Sequence, residues 1–453
     1  MSEDLRLLDG GKGHESEVPA HPESPTWILN AAFTRVEEVA RNALAAYMKY
    51  CAEEKIPHSY LLGLDILITG EVDPSGKKVV DIRPTILEGP CCNSYPACPN
   101  IDSYRLWRRA SVEGQQPDLV AYPTHPKEIL NHMVAAFEAA WAAKGGKGRP
   151  VVGLISRAYP ESEEETAHNI VLDACRTAGL QVHRITPEEN PKVEKGKLWV
   201  GGVPIDVCYR RIERIHVPIF YGEILGKKII HETPDTLFIN PWKVDDLRSK
   251  TKEEDCFRRY EAAGGAKISR PATLLGKEIS PESVGALMDH GGYALKMWNS
   301  TGGKGVFLHV NMDKARGIYD RLYARYDGRH MILLSGGEIN KALDAFKSFK
   351  DDAAIQQLRV IDARPIDDGG RLVYDTRINV LYDALKKEWR LLSGISRCVP
   401  CGKEGDGNSL LTNVSSGANI SPLILGTTAK IKAPMRFGPL LDAMNQGRTE
   451  WAL

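Results

Sequence analysis

The chain has 453 residues, with Lys+Arg and Asp+Glu both at 59, 42% hydrophobic and 26% charged residues. That length predicts about three domains or large subdomains. The zero net charge argues against a basic nucleic-acid surface, and no apolar run reaches the ~18 residues of a membrane span. Residues 1–25 are polar and lack both the apolar core of a secretion signal and the face of a transit peptide, so a disordered tail and a cytoplasmic protein are expected. Nine cysteines are too few, and odd in number, for a disulfide scaffold.

In chain order, apolar residues at helical spacing (Phe33, Val36, Val39, Ala40, Ala43, Leu44, Tyr47) predict one amphipathic helix over Ile28 to Cys51. LLGLDILITG and KKVVDIRPTI come next as two strands, with Asp73-Pro74-Ser75-Gly76 as hairpin turn. PKEILNHMVAAFEAAWAAK, from Pro126, reads as a helix, and the GGKGRP break sets a boundary near Gly145. Beyond it PVVGLISRA, a helix ending at Gly179, QVHRIT and a hairpin with strand Ile205 to Ile212 alternate as a small parallel α/β sheet requires. A third region carries a helix around Lys250 to Ala263, strands YALKMW, AIQQLRVI, RLVYDTRINVLYD and WRLLSGISR, and a polar loop reaching Asn413.

The sharpest local feature is YALKMWNSTGGKGVFL, a strand running into a Gly-rich turn and then a second strand. Glycines there let backbone N–H groups approach an anion, Ser300 and Thr301 add hydroxyls, and Lys296 and Lys304 add charge. It reads as a phosphate cover, although the spacing is not that of a P-loop and a plain hairpin turn is the bland alternative.

The order of parts around it resembles the ATP-grasp superfamily of carboxylate-amine ligases. The resemblance rests on Asn240-Pro241, Lys250, Pro271 and Thr273, Lys296 and Gly302 to Gly305, then IQQLRV, Asp375 and Arg377 in VYDTRINV, Arg390, Arg397 and Asn413 in TNVSSGAN. The unit expected last stands first instead: the helix near Val36 to Tyr47, GLDIL with Asp65, and VVDIRPTILEGP with Asp81. The layout is similar to the circularly permuted members, eukaryotic glutathione synthetase and glutathionylspermidine synthetase. The resemblance implies an α/β (α+β) permuted ATP-grasp fold with a parallel α/β substrate domain. Its parts would be 26–105 (permuted metal-binding part), 106–148 (helical connection), 149–236 (substrate domain) and 237–453 (nucleotide-binding subdomains).

It also implies ATP and Mg2+. Lys250, Lys296, Ser300, Thr301, Gly302, Gly303, Lys304 and Gln357 would bind the nucleotide. Asp65 and Asp81, expected to face one another across the hairpin, would hold magnesium. Where the family has Asn two residues after the carboxylate, this chain has Arg83, which cannot ligate a metal and becomes a candidate for phosphate or carboxylate. Arg377 and Arg390 would stabilise charge on the transferred phosphoryl group. Arg210, Arg211, Arg397, Asn413 and Ser415 would bind substrate. Structural roles for the two lysines and an ion pair at Arg210 or Arg211 stand as the plain alternatives.

CCNSYPAC and CVPC offer Cys91, Cys92, Cys398 and Cys401 as a zinc set, but CC-x5-C is not a usual ligand spacing, and packed or reactive thiols are the preferred reading. The expected activity is an ATP-dependent ligase joining a carboxylate and an amine through an acyl phosphate, with release of ADP and phosphate. The alternatives are an ATP-binding regulatory protein with a degenerate ligase site and a small-molecule kinase. The expected partners are small-molecule substrates, neither nucleic acid nor membrane, with a homodimer left open.

Overall fold

The computed structural model describes residues 26–72, 78–91, 126–156, 171–289, 292–297, 306–310, 353–357, 364–365, 371–401, 419–426 and 451–452. In chain order the strands are β1 (Thr26–Leu29), β2 (Leu61–Val72), β3 (Lys78–Glu88), β4 (Val152–Ile155), β5 (Val182–Ile185), β6 (Lys192–Glu194), β7 (Lys197–Val200), β8 (Val203–Ile205), β9 (Val207–Arg210), β10 (Leu237–Phe238), β11 (Thr273–Leu275), β12 (Gly292–Met297), β13 (Val306–Val310), β14 (Ala353–Gln357), β15 (Arg364–Pro365), β16 (Arg371–Asp383), β17 (Glu388–Cys401), β18 (Asn419–Gly426) and β19 (Trp451–Ala452). The helices are α1 (Asn30–Glu53), α2 (Pro126–Ala143), α3 (described over 171–177), α4 (Val217–Tyr221), α5 (Glu223–His231), α6 (Lys250–Ala262) and α7 (Pro281–Asp289). The result is a mixed α/β fold with parallel and antiparallel sheets, as expected from the sequence.

The main sheet runs β1-β18-β17-β16-β2-β3-β19, with β15 on β16. The N-terminal hairpin β2–β3 is thus inserted between strands from the last third of the chain, with β2 antiparallel to β16. α1 lies on one face of this sheet because Val36, Ala40, Ala43, Leu44, Tyr47 and Cys51 recur at its 3.6-residue period. They pack against Leu62, Leu64 and Ile66 of β2, Ile378 and Val380 of β16, and Phe257 of α6.

A second sheet, β10-β9-β4-β5, is parallel throughout. α2 and α3 cover it, and Leu61, Leu381 and Leu392 of the main sheet join the same core. The boundary expected near Gly145 therefore falls just after a helix that binds the two sheets together. A third sheet, β11-β14-β12-β13, is antiparallel. Among the described residues no helix is long and apolar enough to cross a membrane.

Half-buried His58 sits among rings at the β16–β17 end, with Tyr382 at 4.6 Å and Tyr60 at 5.0 Å between centroids. Its Nδ1 donates to the Ser59 carbonyl at 3.0 Å. Burial holds this imidazole below its ordinary value, and the bond to Ser59 offsets only part of that. The neutral form is the one the fold prefers. Its stabilising contribution is present above the unfolded value, about 6.5, and is lost as pH falls through the lower folded value. The urea midpoint should therefore drop between pH 7.5 and 5.5, and His58→Phe should flatten that drop; an unchanged slope in the variant would refute the assignment.

Candidate active site

The two faces of β2 and β16 differ in chemistry because side chains alternate. Even positions feed the α1 core. Odd positions carry Gly63 and Asp65 on β2, and Arg377 and Asn379 on β16, with Asp65 directly opposite Arg377. Arg377 grips Asp65 as a fork, Nε to Oδ1 at 2.7 Å and Nη2 to Oδ2 at 2.8 Å. The carboxylate is 3% exposed and the guanidinium 29%. The arginine expected at the phosphoryl group and the carboxylate expected at the metal are therefore partners of each other.

The facing pair expected on the hairpin is not what the register gives. Asp65 lies opposite Glu88, whereas Asp81 lies opposite Glu71, six positions along β2. That is roughly 20 Å at ~3.3 Å per residue. The two strands pair as a hairpin, but the aspartates are not equidistant from its turn, and a bulge at Asp65/Ile66 shifts the ladder further. Arg83 lies opposite Thr69. Glu88, which the sequence did not single out, is the acid beside Asp65. Magnesium needs several hard oxygen ligands. Each Asp65 oxygen accepts one N–H from Arg377 and keeps one further lone pair, and no group of three His, Cys, Asp or Glu converges among the described residues. What the described residues show at Asp65 is an ion pair.

In the third sheet the two expected strands, β12 and β13, pair antiparallel with Lys296 opposite Val306, and Lys296 also lies opposite Ala354; the residues between them, 298–305, lie outside the described residues. Ser300, Thr301, Gly302, Gly303 and Lys304 lie outside the described residues, as do Asn413 and Ser415. Gln357 ends β14 opposite Tyr293, three positions from the Lys296 rung. Arg258 of α6 ties this sheet down, donating to the Thr273 carbonyl at 2.8 Å and to Glu278 at 2.5 and 2.9 Å.

Lys250 goes elsewhere than expected. Ser249 caps α6 by accepting from the Lys252 N–H at 3.0 Å, so Lys250 opens the helix. Its ammonium donates to the Leu87 carbonyl and, at 2.9 Å, to Glu253. Glu253 in turn accepts the Gly89 N–H at 2.6 Å. The lysine is 8% exposed. At least two of its three N–H donors are thus committed within the fold.

Arg210 is likewise held inside the fold. It is wholly buried, and its donors reach Asn240 O, Ile212 O, Pro241 O and both oxygens of Asp245. Its plane stacks 4.6 Å from the Trp242 ring centroid. A guanidinium has five N–H donors, and all five are used, leaving none for a substrate. Arg390 lies at the β16–β17 hairpin end, 41% exposed, with loose pairs to Asp383 at 3.7 Å and Glu388 at 3.5 Å. It faces Leu381, four positions along β16 from Arg377, so the two arginines do not converge. Arg397 pairs with Asp375 and Ile420 in the ladder.

Arg211 comes directly after β9, its N–H donating to the Ile155 carbonyl at 2.8 Å. It stands where β4 is flanked by β5 on one side and β9 on the other. Such a reversal of strand order opens a ligand crevice beyond the carboxyl ends of parallel strands. Ser156, the residue after β4, is fully buried there with no hydrogen bond to its Oγ. No sequence signal marked it, since its burial depends on the closed sheet.

Of the cysteines, Cys91 is buried in the α1 core with Cys51 and Cys256, while Cys398 and Cys401 lie on β17. Three strand spacings, about 14 Å, separate β3 from β17. Burial pushes the Cys51 and Cys175 thiols up to about 12. Such thiols are packed and unreactive. Cys92 lies outside the described residues.

No family model and no curated protein matches the sequence. Among solved structures the chain is similar to a glutathione synthetase-like effector from Globodera pallida, with TM-score 0.50, 11% identity and 90% of each chain covered. A gamma-glutamylcysteine synthetase-type protein from Methylobacillus flagellatus matches at TM-score 0.39 and 12% identity over 82% of each chain, too distant to add to the argument. At such identity the likeness shows a shared mixed α/β fold and nothing finer.

Proposed function

We propose that this protein is an ATP-dependent carboxylate-amine ligase on a circularly permuted ATP-grasp fold. The carrying observation is the main sheet, in which a hairpin from the first ninety residues sits between strands of the last third, beside a separate antiparallel sheet bearing Lys296. The likeness of that whole arrangement to a glutathione synthetase-like effector supports the reading.

In this reading Lys296 and the Gly-rich turn after it hold the nucleotide phosphates. Arg211 and Ser156 receive the carboxylate end of a substrate at the parallel-sheet crevice. A carboxylate oxygen attacks the γ-phosphorus, ADP leaves, and the acyl phosphate then loses phosphate to an attacking amine, giving the amide and one proton. Positioning and charge supply most of the catalysis in such transfers. Asp81, the member of the expected pair not held by Arg377, would offer magnesium one oxygen ligand, and the bound ion would neutralise charge on the nucleotide phosphates.

The test is an ADP-release screen across amino acids, polyamines and small acids. A hit should require both a carboxylate and an amine, and Lys296→Met should lower its rate at least 100-fold with the melting temperature nearly unchanged. AMP and pyrophosphate as products would overturn the chemistry. A second reading, an ATP-binding protein without turnover, is favoured by Arg377 occupying Asp65; it predicts MgATP binding by calorimetry and no ADP with any pair.

A further inference from the structure

The contacts of Lys250 and Glu253 have a geometry that neither phosphate binding nor ordinary helix packing explains. In a strand, the C=O of one residue and the N–H two residues later point to the same edge. At the end of β3 those groups are the Leu87 carbonyl and the N–H of Gly89, the residue after the strand, on the side away from β2. β19 pairs with β3 only at Lys78 and Val79, and the Ile86 N–H donates to the Ser269 carbonyl at 2.8 Å, so among the described residues no strand continues that edge past Ile86. The Lys250 ammonium takes the carbonyl and Glu253 takes the N–H, while the two side chains bind each other at 2.9 Å. Together they supply one donor and one acceptor where a neighbouring strand would.

The residue between the two gripped peptide groups is Glu88, the acid opposite Asp65. The bulge lies at this point, where pairing would otherwise be loose. Gly89 is required for the fit, because a Cβ there would lie 2.8 Å from both Glu253 Oε2 and Phe257 Cζ.

The geometry points to Lys250 and Glu253 as a positioning pair that continues the edge of β3 beyond the Ser269 contact and holds Glu88 in register with the Asp65–Arg377 fork. The pair acts on the site through the backbone, from the first turn of the helix that also anchors the Lys296 sheet. The functional half of this inference rests on the ligase reading; the edge-completion half does not.

Three variants test it: Lys250→Met, the milder Glu253→Gln, and Lys250→Arg, which keeps a donor to both partners. The readouts are amide exchange at Gly89, MgATP affinity by calorimetry, and kcat and KM for ADP release. Lys250→Met and Glu253→Gln should each speed Gly89 exchange at least tenfold, leave MgATP affinity within threefold, and lower kcat with little change in KM for ATP. Lys250→Arg should restore most of the protection. A tenfold loss of MgATP affinity in Lys250→Met with Gly89 exchange unchanged would overturn the inference in favour of a phosphate contact. Faster exchange with kcat intact would reduce the pair to plain structural support, also overturning it. Absence of MgATP binding by the wild type would sink the ligase reading, and Gly89 exchange alone would then decide the edge role.

Discussion

Arg377→Met should destabilise the protein by about 2–4 kcal/mol. Removing one partner of a buried ion pair costs about 3–5 kcal/mol, because the other charge is left without compensation. The figure is reduced here because Arg377 is 29% exposed and water can reach part of the pair. Asp65, at 3%, has no such relief. Arg377→Lys should recover less than half of the loss, since an ammonium cannot reproduce two parallel N–H bonds. The double variant Asp65→Asn/Arg377→Met should be less damaging than the sum of the singles, the signature of a direct pair. Urea midpoints check all three, and a single variant within about 0.5 kcal/mol of wild type would show that the fork does not stabilise the fold.

Arg210→Met should be at least as severe, about 3–5 kcal/mol, and should yield little folded protein at 37 °C. The substitution strands the Asp245 carboxylate, itself 9% exposed, although the Arg214 N–H at 2.9 Å still reaches it. It also strips the donors that hold Asn240 O, Pro241 O and Ile212 O, in the segments that leave the parallel sheet after β9 and β10. Lysine offers a single ammonium and cannot span these partners. Circular dichroism melts at several temperatures separate this from a binding role. A variant that melts normally and merely binds carboxylates less well would restore the substrate assignment.

Periodicity made much of the fold legible. The α1 stripe, the β2–β3 hairpin, the alternation of the parallel sheet and the Lys296 hairpin all arise from local spacing, and each is found within a few residues of its expected bounds. β1 and β18 give no such signal, being short or set in polar surroundings. The site was less legible for three physical reasons. The Asp65–Arg377 fork joins residues 312 apart, and nothing local announces it. The register at Glu88 depends on a bulge, and a one-residue slip reassigns every facing pair. The fate of Lys250 and Arg210 turns on burial: at the end of a strand or the start of a helix either residue could have faced solvent, and only the closed fold turns them inward.

The sheet stitched from both ends of the chain has a consequence for biosynthesis. β2 leaves the ribosome long before β16, its neighbour in the ladder; at about 5–20 residues per second, roughly 15–60 s separate their appearance. Through that interval Leu62, Leu64 and Ile66 have α1 and β3 for company but an unpaired edge on the other side. Pulse-chase proteolysis of stalled nascent chains should show the hairpin still open to cleavage until residues 371–383 have emerged, which makes this protein a strong candidate for chaperone dependence during translation.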